Sequence, residues 1–102
     1  MQLYGVQSTA LRYFLEVARC GSISEASVRL NVAASAVSRQ IAKLELALDA
    51  SLFERRARGM VLSEAGGRLA AYARKSQLEA EQVVLEITEL HGLQREIGRA
   101  HV

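Results

Sequence analysis

The sequence predicts a mainly α fold: a winged helix-turn-helix, three helices plus a two-stranded wing, followed by one long helix. Three observations predict it. The 102 residues include no proline and carry long Ala/Leu/Glu/Arg-rich tracts, a composition that favours helix. The stretch from Ser22 to Arg39, S-I-S-E-A-S-V-R-L-N-V-A-A-S-A-V-S-R, holds a short helix signal, a break and a second helix signal. Beyond Ser63, apolar or small residues recur in steps of four and three for about three heptads.

The first helix starts near Ser8 or Thr9, either of which can cap it. Leu11, Phe14, Leu15 and Ala18 form its apolar stripe, Val17 widens it, and Gly21 stops it. Met1 to Gln7 has no strong period and reads as a lead-in. The second helix opens on Ser22-Ile23-Ser24-Glu25, a capping box. Ala26, Val28 and Leu30 supply its apolar surface. Asn31 then turns the chain, because Asn tolerates positive φ.

The third helix begins around Ala34 or Ser35 and runs to about Leu48. Val37, Ile41, Leu44 and Leu48 make its buried stripe. Ser35, Ser38, Arg39 and Lys43 fall away from it. Small Ser27 lets the second and third helices cross closely, and Leu30, Val32, Val37 and Ile41 hold their angle. Small polar residues at the head of the third helix let it approach an external surface, and its N-terminus offers N–H groups to phosphates.

Leu52 to Arg55 and Met60 to Leu62 are strand-like, and Arg56-Ala57-Arg58-Gly59 turns between them, with Gly59 able to take positive φ. Charge is uneven. Up to Ser63 there are 8 Lys/Arg against 5 Asp/Glu; from Glu64 onward, 5 against 6. Arg55, Arg56 and Arg58 crowd the hairpin, either as a phosphate footprint or as a solvated turn. Ser63 caps the long helix, which runs to about Leu90 and stops at Gly92. Its seam is Leu69, Ala73, Ser76, Ala80, Val83, Ile87 and Leu90. The domain is too small to cover this seam along its whole length, so the expected partner is the same helix of a second subunit. The alternative is packing on its own domain alone. The boundaries follow: 1-63, winged helix-turn-helix; 64-91, long linker and dimerisation helix; 92-102, tail.

Other classes find little support. The longest apolar run, Leu69 to Ala73, is too short for a membrane span, and no signal peptide is visible. Cys20 suits a reducing cytoplasm and reads as a small filler. His91 and His101 have no metal-ligand spacing around them. Neither a nucleophile elbow nor a phosphate loop is present. The expectation is a non-enzymatic protein with no cofactor and no metal.

The residues also carry a resemblance. Phe14, Val17-Ala18, Gly21-Ser22-Ile23-Ser24-Glu25-Ala26, Leu30, Ala36-Val37-Ser38-Arg39-Gln40-Ile41, Leu44-Glu45, Leu48, Leu52-Phe53, Arg55 and Leu62-Ser63-Glu64-Ala65-Gly66 stand in order. Over about Leu11 to Leu90 the chain resembles the DNA-binding domain of LysR-type bacterial transcriptional regulators. The resemblance implies a dimer on an inverted-repeat duplex site, paired through the long helix, with room for a tetramer in the full-length protein. It also implies a C-terminal sensor domain of periplasmic-binding-protein type, approached through Gly92-Leu93-Gln94-Arg95 and Ile97-Gly98, that alone would take a small-molecule effector. Ala34, Ser35, Ser38, Arg39 and Lys43 are the expected reading residues, with Ser22, Ser24, Arg55, Arg56 and Arg58 on the backbone. Arg39 has three candidate roles: a base contact, a phosphate clamp, or a salt bridge to Glu45 or Glu16.

The chain departs from the family at the head of the third helix, where Ser-Gln-Pro or Ser-Gln-Ser is common and Ala33, Ala34 and Ser35 stand here. Ala33 cannot cap and Ala34 cannot hydrogen-bond a base, although its methyl suits a thymine methyl. Ser27 stands for a usual Ala, Ser63 for a common Thr, and Asp49 for a usual Gly. The departures at Ala33 and Ala34 leave an alternative open: a winged-helix protein–protein or dimerisation module with weakened DNA affinity.

Overall fold

The computed structural model describes residues 8–100, with the side chains of 94–100 left aside; the lead-in Met1 to Gln7 and His101 lie outside the described residues. Helix α1 spans Thr9–Cys20, α2 Ile23–Leu30 and α3 Ala34–Leu48. Strands β1 (Phe53–Arg56) and β2 (Gly59–Leu62) follow, then α4 (Glu64–Ala100). The architecture is a winged helix-turn-helix with a long C-terminal helix.

Local chemistry sets the breaks. Ser8 Oγ accepts from Leu11 N–H at 3.2 Å and opens α1; Gly21, at φ 71°, closes it. Ser22 Oγ accepts from Glu25 N–H at 3.2 Å and opens α2. Asn31 (φ 60°) ends α2, and Asp49 (φ 51°) ends α3, both in the left-handed region that short polar side chains tolerate. The strands pair antiparallel, from Phe53 opposite Leu62 to Arg56 opposite Gly59, leaving Ala57-Arg58 as the turn.

One core joins these parts. Phe14, Val17, Val37 and Leu52 are fully buried, each contributing about 1.5–3 kcal/mol. Phe14 and Phe53 pack with ring centroids 5.4 Å apart. Ser27 is buried where α2 crosses α3, and its hydroxyl donates to Ser24 O at 2.7 Å, so the close crossing leaves no orphan polar group. Ala70 of α4 belongs to the same core, so the core has no boundary at Ser63.

Four expectations need correction. On α1 the buried side is Leu11, Tyr13, Phe14 and Val17, with Leu15 and Ala18 half-buried, because neighbours on both flanks turn the helix toward Tyr13. Val28 is 79% exposed; α2 has only eight residues, and Ala26 and Ser27 already fill its contact. Leu48 is 51% exposed, since α3 outruns the domain by its last turn. Finally, α4 passes through Gly92 to Ala100. A glycine in mid-helix costs about 1 kcal/mol, and good helix formers on both sides offset it.

The long helix also divides the expected seam. Ala73, Ser76 and Ala80 are buried, Leu69 and Val83 half-buried, while Ile87 and Leu90 are exposed. Thirty-seven residues extend about 55 Å at 1.5 Å each, and the molecule is 65 Å long with a radius of gyration of 18.2 Å. A compact chain of this length would have about 13 Å. The second half of α4 therefore projects beyond the domain.

Candidate nucleic-acid interface

The wing is placed by backbone contacts. Met60 N–H donates to Gly21 O at 3.0 Å, tying β2 to the turn between α1 and α2. Gly59 lies so close to that turn that a Cβ would sit 2.6 Å from Gly21 O. At the other end Ser63 N–H donates to Leu52 O at 3.0 Å, and Ser63 Oγ–H donates to Ser51 O at 2.6 Å. The same Oγ accepts from Gly66 N–H at 3.0 Å, which caps α4. Gly66 is pressed against β1: a Cβ there would lie 2.0 Å from Leu52 O.

These contacts make a cleft of about 310 Å³. It is lined by Gly21, Ser22, Ile23 and Ser24 from the start of α2, and by Arg55, Arg56, Gly59 and Met60 from the wing. Four of the expected backbone-contacting residues, Ser22, Ser24, Arg55 and Arg56, thus line one cleft. Arg58 lies apart in the turn. Arg56 is partly committed, its guanidinium 2.7 Å from the Glu54 carboxylate.

The α3 set occupies a separate, open face. Ala34, Ser35, Ser38, Arg39 and Lys43 are all exposed, while Val37 and Ile41 on the opposite side are buried. The two carboxylates considered for Arg39 are engaged elsewhere. Glu16 pairs with Arg19, and Glu45 Oε2 accepts from Leu52 N–H at 2.8 Å. Among the described residues no ion pair involves Arg39 or Lys43. The head of α3 is bare: Ala33 makes no side-chain cap. Only Ala36 and Val37 N–H turn back to Ala33 O, so the N–H groups of Ala34 and Ser35 project as donors.

Glu45 was not among the residues singled out for the site, yet it positions the wing. It bridges the end of α3 to the start of β1 across the Asp49 turn. Cys20 is a filler: its Sγ–H donates to Glu16 Oε2 at 3.3 Å. Burial, then that hydrogen bond, raises the thiol pKa, so the thiol stays protonated. Among the described residues no cluster of His, Cys, Asp and Glu can hold a metal, and no helix is long and apolar enough to cross a membrane.

Comparison with known proteins meets this geometry. The family described as "Bacterial regulatory helix-turn-helix protein, lysR family" matches residues 8–67. The chain is 35% identical over 80 residues to the nitrogen assimilation regulatory protein nac of Klebsiella aerogenes, covering 78% of this chain and 26% of that protein. It is 45% identical over 65 residues to the HTH-type transcriptional regulator GltR of Bacillus subtilis (strain 168), covering 64% of this chain and 22% of the relative. The chain therefore spans about a quarter of the length of these two relatives. Among solved structures, BenM_DBD in its complex with catB site 1 DNA superposes with a TM-score of 0.75 at 31% identity, covering 89% of this chain and 97% of that one. Vibrio fischeri DarR in complex with DNA gives a TM-score of 0.71 at 30% identity, covering 82% of this chain and 29% of that one. Helix-turn-helix, wing and leading helix all fall within the matched span, and the chain belongs to the lysR family of bacterial regulatory helix-turn-helix proteins.

Proposed function

We propose that this chain is the DNA-binding part of a bacterial transcriptional regulator, working in the cytoplasm by binding rather than by turnover. Two copies, paired through α4, sit on an inverted-repeat duplex site. The observation that carries this reading is the open face of α3, where Arg39 and Lys43 project with no ion pair among the described residues, beside the bare N–H groups of Ala34 and Ser35. An exposed helix with small residues at its head and unpaired cations one turn later fits a major groove. The cleft between α2 and the wing suits the flanking phosphates, with Ser22 and Ser24 as hydroxyl donors and Arg55 as the less committed cation. Arg58 at the wing turn suits the minor groove. A small-molecule effector would act through a further domain, as the relatives' greater length suggests.

Sites selected from random duplexes, followed by anisotropy titrations over a range of salt, test the reading. The expected outcome is a two-fold-related consensus and a steep salt dependence. Arg55→Ala should weaken binding to every sequence and flatten the slope by about 0.9 per lost phosphate contact, whereas Arg58→Ala should weaken binding most on sites whose minor groove is narrow. Binding that ignores both salt and sequence would refute it.

A further inference from the structure

The middle of the outward surface of α3 is occupied by an alanine. At about 100° per residue, Ser35, Arg39, Ala42, Lys43 and Leu46 all fall within about 60° of the line opposite buried Val37 and Ile41. All five are exposed, Leu46 at 84%. The long cations Arg39 and Lys43 lie to one side of Ala42, and small Ser38 lies to the other. At Ala42 the helix body can therefore approach a groove floor as closely as one methyl group allows.

The same surface offers few hydrogen-bonding partners to bases. From Ala34 to Leu46 no exposed residue is Asn, Gln, Asp or Glu. Gln40 is half-buried, and the Glu45 carboxylate accepts from Leu52 N–H. Paired amide contacts to adenine and carboxylate contacts to cytosine are therefore missing from it. An A·T pair set against such a surface keeps one further mark in the major groove, the thymine 5-methyl.

We propose that Ala42 is a further specificity-determining residue, whose side-chain methyl packs on the 5-methyl of one thymine in each half-site. This rests on the reading above that α3 enters the major groove; it adds how an A·T pair is told from the others there. Methyl against methyl withdraws apolar surface from water on both sides. Cytosine at the same place would bring its N4 amine, and adenine its N6 amine and N7, against a group that can bond neither. The Ala34 methyl has the same chemistry but a different address, eight residues or about 12 Å away along the helix axis.

The test replaces each thymine of the selected site in turn by deoxyuridine, which lacks only the 5-methyl, and reads affinity by anisotropy. At one thymine per half-site the wild type should bind about fourfold more weakly, the worth of one methyl-sized group withdrawn from water. Cytosine there should bind more weakly still, and 5-methylcytosine should recover part of the loss. Ala42→Gly removes the protein's methyl, and Ala42→Ser replaces it with a hydroxyl while keeping a better helix former; circular dichroism confirms that each is folded. Both variants should bind the thymine and deoxyuridine sites alike at that position and keep their sensitivity at any thymine read by Ala34. A merely structural Ala42 would leave the thymine preference in place. The proposal is overturned if no thymine methyl matters to the wild type, or if every such preference survives in both variants. Wild-type binding without sequence selection would sink the reading of α3 and this contact together, whereas selective binding without the coupling to Ala42 sinks the contact alone.

Discussion

Helices α2 and α3 begin within a dozen residues of each other and begin in opposite ways. The head of α2 is tied down: Ser22 caps it, and the preceding Gly21 carbonyl is held by Met60 of the wing. The head of α3 has no side-chain cap, and its first turn is Ala34, Ser35 and Ala36. One end completes its hydrogen bonds inside the molecule, while the other keeps donors and small side chains facing out. The difference separates a frame, whose geometry is set by backbone contacts, from the proposed reading face, whose chemistry is left open to a partner. Changes to the frame should cost stability first. Changes to the face should alter binding and leave the fold intact.

The frame should break most sharply at Gly66. A methyl there would lie 2.0 Å from the Leu52 carbonyl and 3.0 Å from Leu62 Cδ2. Neither β1 nor α4 can retreat without opening the core, so Gly66→Ala should cost about 3 kcal/mol, the upper end for overpacking. Urea denaturation checks this, and a change below about 0.5 kcal/mol would mean that the wing and α4 are not pressed together. Glu45 comes next. Removing its carboxylate in Glu45→Ala leaves the Leu52 N–H without its acceptor, at a cost of about 1–3 kcal/mol. Glu45→Gln keeps an oxygen acceptor and should recover most of that stability. Equal losses in both variants would show that the negative charge, not the hydrogen bond, matters.

The contrast also explains what could be read from the residues alone. Helix caps and turns rest on near neighbours, so Ser8, Gly21, Ser22 and Asn31 announced themselves, as did the basic hairpin. Glu45 stood only as a candidate partner for Arg39, because its actual partner is the backbone of Leu52, seven residues on and across a turn. Gly66 entered only among the residues that carry the resemblance, with no packing role, because the carbonyl that crowds it belongs to another element. Tyr13 and Val28 exchanged their expected roles because burial depends on what packs from outside the helix, which periodicity does not carry. The continuous seam of α4 misled for the same reason. Ala73 and Ser76 follow the rhythm of Ile87 and Leu90 but face the protomer's own domain. For the candidate site, residue types were legible. Their division into a cleft and a separate face depended on how the wing folds back onto Gly21.

On the reading face, Arg39→Ala should leave the melting temperature nearly unchanged, because the side chain is exposed and makes no ion pair among the described residues. If the guanidinium contacts a base, discrimination between the selected site and random duplex should fall by about 1–3 kcal/mol. If it clamps a phosphate, both affinities should fall together and discrimination should survive. Paired titrations on the two duplexes separate these outcomes.

The smallest effect tests the contrast most directly. Ala33→Ser places a hydroxyl at the head of α3, where the backbone is already extended (φ −69°, ψ 145°) as a capping residue requires. Its oxygen should accept from Ser35 N–H and stabilise the fold by about 1 kcal/mol, raising the melting temperature by about 4–8 °C for a domain of this size. The same bond occupies a donor that the bare helix offers outward. If those donors serve a phosphate, DNA affinity should fall, by about tenfold, the lower end for one hydrogen bond to a charged acceptor, while stability rises. If stability and affinity rise together, α3 is uncapped for another reason. The open side chains alone would then distinguish its head from that of α2.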